Sequence, residues 1–150
     1  DRFVLSASAV LGTLANPADP TSVIGVGVAA GDGLVLTEAE LAVITNRIDE
    51  LNATIESTIT ALGLDNSVAV ADMNGALDAL TTAGGGFVDG VLISPSFAPP
   101  AGIFSEDGVH PNSRGYAYAA QFFIDAINAK FGANVRKPKL GNYSGNGLPQ

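Results

Sequence analysis

Phe104-Ser105-Glu106-Asp107-Gly108-Val109-His110-Pro111-Asn112-Ser113-Arg114-Gly115-Tyr116 carries the one histidine of the chain, three residues after an aspartate, in a loop that runs into a helical segment. A neutral imidazole takes a proton from a hydroxyl and later returns it, while a carboxylate on its other nitrogen holds the tautomer and steadies the imidazolium. Asp107 and His110 therefore have the chemistry of a base and its orienter in a nucleophilic triad. The nucleophile is not among these residues. The competing reading is structural, since a histidine beside a helix start is often a surface or capping residue and Asp-x-x-His is a short pattern with accidental matches.

Downstream of the loop, Asn112 or Ser113 is placed to cap a helix with the apolar stripe Ala117, Ala120, Phe123 or Ile124, Ile127 and Phe131, ending at Gly132. That helix fixes the loop's exit and so positions His110. Residues 134–150, rich in Lys, Pro, Gly and Asn, read as an extended surface tail. Upstream, residues 94–102 hold three prolines and are a loop, because proline removes a backbone donor and restrains its predecessor. Phe97, Ile103 and Phe104 are candidates to line a pocket or to pack in the core. Ser94, Ser96 and Ser105 are the nearby hydroxyls, and none occupies the strand-to-helix elbow of a nucleophile. Gly84-Gly85-Gly86 is a flexible connection, followed over residues 87–93 by a short strand or an extended arm carrying Asp89 and Gly90.

Residues 67–72, Ser-Val-Ala-Val-Ala-Asp, are short and apolar, as expected of a buried parallel strand with Asp72 and Asn74 near its C-terminal end. Asp72, Asn74 and Asp78 lack the glycine and bidentate acid of a calcium loop, and capping of a short helix by Asn74 accounts for them better. Thr37 and Glu40 form a capping box ahead of a long amphipathic helix, with Leu41, Ile44, Ile48, Leu51, Ile55 and Leu62 on one face and Gly63 as its stop. One-sided burial on a sheet is the expected role of that face. Residues 2–11 are a short strand or a packed loop, residues 16–20 a turn, and residues 23–30 an irregular hairpin or surface loop. Gly25-x-Gly27 with Gly31 has the wrong spacing and context for a dinucleotide loop.

Residues 105–116 with the following Ala- and aromatic-rich helix resemble the Asp-x-x-His-Pro block of the SGNH (GDSL-type) serine hydrolases, an esterase and lipase family. The similarity is specific over residues 104–131, and the order of elements is compatible back to residue 37. It implies catalytic roles for Asp107 and His110 in a Ser-His-Asp triad for ester hydrolysis, and structural roles for Pro111 and Gly115. The implied fold is α/β, a three-layer flavodoxin-like sandwich with helices flanking a parallel sheet. The family's Gly-Asp-Ser, oxyanion-hole glycine and Gly-x-Asn-Asp blocks have no counterpart here, and in Gly31-Asp32-Gly33-Leu34 a glycine stands where the serine would be. Residues 1–133 are accordingly expected to be the C-terminal portion of one such domain, and residues 134–150 its tail.

Composition is consistent with this. The 150 residues, 47% hydrophobic and 15% charged, suit a globular chain, and a net charge of −8 argues against nucleic acid as a partner. Zero cysteines exclude a disulfide framework and a thiol nucleophile, and with one histidine they argue against a zinc site, so neither cofactor nor metal is expected. No apolar run reaches membrane-spanning length. Asp1-Arg2-Phe3 is neither a start methionine nor a signal peptide. Exposed strand edges would pair with the missing N-terminal portion of the same hydrolase or with another copy of the chain. The resemblance also implies an ester substrate and a bacterial secreted or cell-envelope location. The rival expectation is a non-catalytic fragment, or a binding or structural module of a cell-envelope protein.

Overall fold

The computed structural model describes residues 2–146 and divides into two compact units, residues 1–58 and 59–150. In the first, β1 (Arg2–Phe3) pairs antiparallel with β2 (Val35–Leu36), matching Arg2 to Leu36 and Phe3 to Val35. Between them lie short 3-10 turns and a loop tied by its own polar side chains. Asn16 Oδ1 accepts from the Ala18 amide at 3.0 Å, Asp19 Oδ1 from the Thr21 amide at 2.9 Å, and the buried Ser22 hydroxyl accepts from the Asn16 amide at 2.9 Å. The first two are Asx-type bonds, and in all three a short side chain replaces a ladder partner. Residues 23–28 close on themselves, with Gly25 N donating to Val28 O at 2.7 Å and Gly27 N to Val23 O at 2.8 Å.

Helix α1 (Glu38–Ala61) begins where its capping box predicts. The Thr37 amide donates to Glu40 Oε2 at 2.9 Å, and the Glu40 amide donates back to Thr37 Oγ1 at 3.3 Å. Such a reciprocal cap satisfies two amides that a helix start leaves without intrahelical partners. Gly63 follows in the left-handed region, φ +67°, where the absence of Cβ allows the stop. Burial is where expectation and structure part, because no residue of α1 is buried and Ile44, Ile48, Leu51 and Ile55 are 39–54% exposed. Periodicity encodes an apolar face; it does not encode the surface that covers it.

The second unit holds a contiguous core of Leu80, Ile93, Ile103, Tyr118 and Leu140, flanked by Leu77, Val88, Val91, Phe104 and Phe122. The expected strand at residues 67–72 has no ladder partner among the described residues, and Val70 is exposed. Helix α2 (Met73–Thr82) starts two residues earlier than the Asn74 cap implied. Asp72 caps it instead, accepting the Gly75 amide at 2.8 Å, which leaves Asn74 inside the first turn.

Residues 86–93 are neither an arm nor a lone strand. They form a hairpin of β3 (Gly86–Val88) and β4 (Val91–Ile93), antiparallel in the register Gly86 to Ile93, Phe87 to Leu92 and Val88 to Val91. Asp89 (φ +52°) and Gly90 (φ +79°) make its two-residue turn, with positive φ at both positions as the twist of paired strands requires. The β1–β2 and β3–β4 ladders are both antiparallel, and no parallel sheet occurs among the described residues.

Helix α3 (Ser113–Phe131) is capped by Asn112, which accepts the Gly115 amide at 3.0 Å, and ends at left-handed Gly132. Its buried face is rotated from the expected stripe: Arg114, Ala117, Tyr118 and Gln121 face inward, while Phe123, Ile127 and Phe131 are exposed. The polar members are tolerated because each has partners. Arg114 Nε donates to Tyr143 O at 3.2 Å and Nη1 to Pro100 O at 3.0 Å, and Gln121 Nε2 donates to Asp89 Oδ2 at 2.7 Å and Pro138 O at 2.8 Å. Those carbonyls belong partly to the tail, which is not a bystander. Leu140 is fully buried in the core, and its amide reaches Asp89 Oδ2 at 3.4 Å.

Candidate active site

The loop bearing Asp107 and His110 is held at its base by the start of α3. The Asn112 amide donates to Ile103 O at 2.9 Å, and its Nδ2 donates to Gly102 O at 2.8 Å and Phe104 O at 3.1 Å. Asn146 Nδ2 donates to the same Phe104 carbonyl at 2.7 Å, so the tail also braces the loop. Position 115 admits only glycine, since a Cβ there would collide with the Ile103 carbonyl and press on Pro111. That close approach brings the helix start against the loop base and gives Gly115 and Pro111 a physical reason to be where they are.

Above this base the chain pinches between Phe104 and Pro111, which form a bridge, and the Ser105 amide donates to His110 O at 2.7 Å. Gly108 turns the tip with φ +71°, its amide donating to Ser105 O at 2.9 Å. The turn folds Asp107 back over the loop. Its Oδ1 accepts from Ser105 Oγ at 2.7 Å, the Val109 amide at 2.9 Å and the His110 amide at 2.9 Å, while Oδ2 lies 2.7 Å from His110 Nδ1.

These donors hold the Asp107 carboxyl far below the usual carboxylate range. The Val109 amide is the largest cause, followed by the His110 imidazole, the Ser105 hydroxyl and the His110 amide. An ionised carboxylate only accepts, so the contact assigns a proton to Nδ1 and leaves Nε2 of the neutral ring as an acceptor. The imidazole is 72% exposed, and among the described residues nothing hydrogen-bonds to its Nε2. The pair thus has the tautomer and the open nitrogen of a general base.

The nearby hydroxyls are otherwise engaged. Ser94 and Ser96 bond to each other at 2.9 Å, and Ser105 faces Asp107 on the carboxylate side of the pair. Of the apolar residues before the loop, Ile103 is buried in the core, Phe104 packs against it and Phe97 is exposed. Asp72 serves α2 as its cap, and no group of three His, Cys, Asp or Glu converges on a metal position among the described residues. No helix of the described residues is long and apolar enough to cross a membrane. The contribution of Ser105 and the two amides is absent from the triad pattern, although an aspartate followed by amides two and three residues on is the mark of an Asx turn. Set against protein-family models, curated proteins and solved structures, the chain matches none of them.

Proposed function

We propose that this chain provides the acid-base half of a serine ester hydrolase of the SGNH type, with His110 as the base and Asp107 as its orienter. The observation that carries this is the 2.7 Å contact between Nδ1 and Oδ2 on an imidazole whose other face is exposed. In this reading the serine comes from a segment outside residues 1–150, in the same polypeptide or in a partner copy. In the same proposal the complete domain is a three-layer α/β sandwich. As the serine Oγ bonds to the ester carbonyl carbon, its proton passes to Nε2. Collapse of the tetrahedral intermediate breaks the bond to the alcohol oxygen, which takes the proton from Nε2 and leaves. Water then attacks the acyl-serine, its proton moving through Nε2 to the serine Oγ as the carboxylic acid departs. Asp107 remains ionised throughout and offsets the positive charge on the ring. A secreted or cell-envelope location belongs to the same proposal.

A second reading has an observation of its own. All four donors to Asp107 lie within three residues of it, so the clasp shapes the loop whether or not the ring reacts. The chain would then be a non-catalytic binding or structural module. Turnover of short-chain aryl esters by the complete product of the reading frame separates the two. Catalysis predicts hydrolysis that falls by about 10³-fold or more in His110→Ala; a structural clasp predicts no hydrolysis, or hydrolysis indifferent to that substitution.

A further inference from the structure

We infer that Ser105 is a positioning residue for the Asp107–His110 pair, which rests on the catalytic reading above for its consequence in turnover. A carboxylate rotates easily about its terminal bond, so a nearby imidazole does not by itself decide which oxygen it meets. Here the two oxygens are divided. Oδ1 takes all three non-imidazole donors, and Oδ2 is left to Nδ1. Two of the three are amides of Val109 and His110, on the same arm of the loop as the ring. The third, Ser105 Oγ at 2.7 Å, comes from the opposite arm, just inside the Phe104–Pro111 pinch. Ser105 therefore ties the carboxylate across the loop and fixes its rotation.

The same hydroxyl lies 3.0 Å from the His110 carbonyl, but its one proton goes to the stronger acceptor, the ionised carboxylate. Its proton is thereby committed on the Asp107 side and does not face Nε2. This separates a positioning role from a nucleophilic one. With Oδ2 aimed at Nδ1, the ring keeps its proton there and Nε2 stays an acceptor. The remaining titratable neighbour in the loop is Glu106, and no Lys or Arg bonds to Asp107 among the described residues.

The test uses Ser105→Ala and Ser105→Thr in the full-length protein. Long-range proton-nitrogen NMR reports which His110 nitrogen carries the proton, and carbon NMR reports the titration of Asp107. In Ser105→Ala, Asp107 is expected to titrate at higher pH than in the wild type, and neutral His110 to lose its preference for the Nδ1–H form. kcat on an aryl ester should fall about tenfold with KM within about twofold, and Ser105→Thr should restore all of these. Should the alanine variant lose the loop, Ser105→Cys, which keeps the shape but donates weakly, gives the same readouts. An unchanged tautomer and an unchanged Asp107 titration in Ser105→Ala would overturn the inference. If the wild type hydrolyses no ester while the tautomer still answers to Ser105, the catalytic reading fails and the positioning role stands.

Discussion

Glu40 at the start of α1 and Asp107 in the loop before α3 are held by donors of the same kind, yet only Asp107 also meets an imidazole. Glu40 takes the Thr37 amide at 2.9 Å and the Thr37 hydroxyl at 2.8 Å, both on Oε2. Those two bonds, the amide first, hold its carboxyl below the ordinary range. Asp107 is lowered in the same way by amides and a hydroxyl, but its three local donors share Oδ1, and the second oxygen meets an imidazole. A depressed carboxyl is therefore no mark of a site on this chain. What distinguishes Asp107 is the second oxygen, aimed at a ring whose far nitrogen is open.

The sharpest way to break the comparison is Asp107→Asn. The amide keeps an acceptor for the Val109 and His110 amides but presents a donor or a weaker acceptor to Nδ1, so the ring shifts towards carrying its proton on Nε2. Ester turnover should drop by about 10²–10⁴-fold while the loop persists, checked by steady-state kinetics beside amide spectra of residues 104–111. The matched change, Glu40→Gln, should leave turnover unaltered and at most slightly lower the stability of α1 in thermal or urea unfolding. A large kinetic effect of Glu40→Gln would erase the distinction.

Acid provides the mildest comparison. Asp107 has a folded pKa depressed below its ordinary 3.8, so its contribution to the loop is fully present above that value and is lost as pH falls through the depressed folded value. Its clasp should hold unchanged from neutrality to about pH 4, and protection of the Val109 and His110 amides should decline only below that. Loosening of the loop between about pH 7 and about pH 5 would mean that a different group holds it.

Local chemistry was the legible part of this molecule. The Thr37–Glu40 box, the Asn112 cap and the Gly132 stop each need only residues within a turn of one another, and each lies where its spacing predicts. The same holds for Asp107 and His110, three residues apart in one loop. The Asp89-Gly90 hairpin carried an equally local signal, an Asp-Gly pair between two apolar triplets, which outweighs the propensity of those triplets to continue as one extended piece. Leu140 had no such signal. It is one leucine among Lys, Pro and Gly, and its burial depends on a groove assembled from α2, α3 and the hairpin. Arg114 and Gln121 break the apolar stripe of α3 because their partners are carbonyls and a carboxylate far along the chain. Nor does the apolar face of α1 name what would cover it. Of the candidate site, the pair was readable and its support was not: Ser105 is near in sequence but belongs to no triad motif, and Asn146 reaches the loop from the far end of the chain.

The central claim is that His110 serves a serine that this stretch of chain does not contain. Fluorophosphonate labelling of the complete reading-frame product, with intact mass and peptide mapping, tests it most directly. The account predicts one phosphonylated serine, outside residues 1–150, whose labelling disappears in His110→Ala. Labelling at Ser94, Ser96 or Ser105, or labelling that persists without the imidazole, would contradict it.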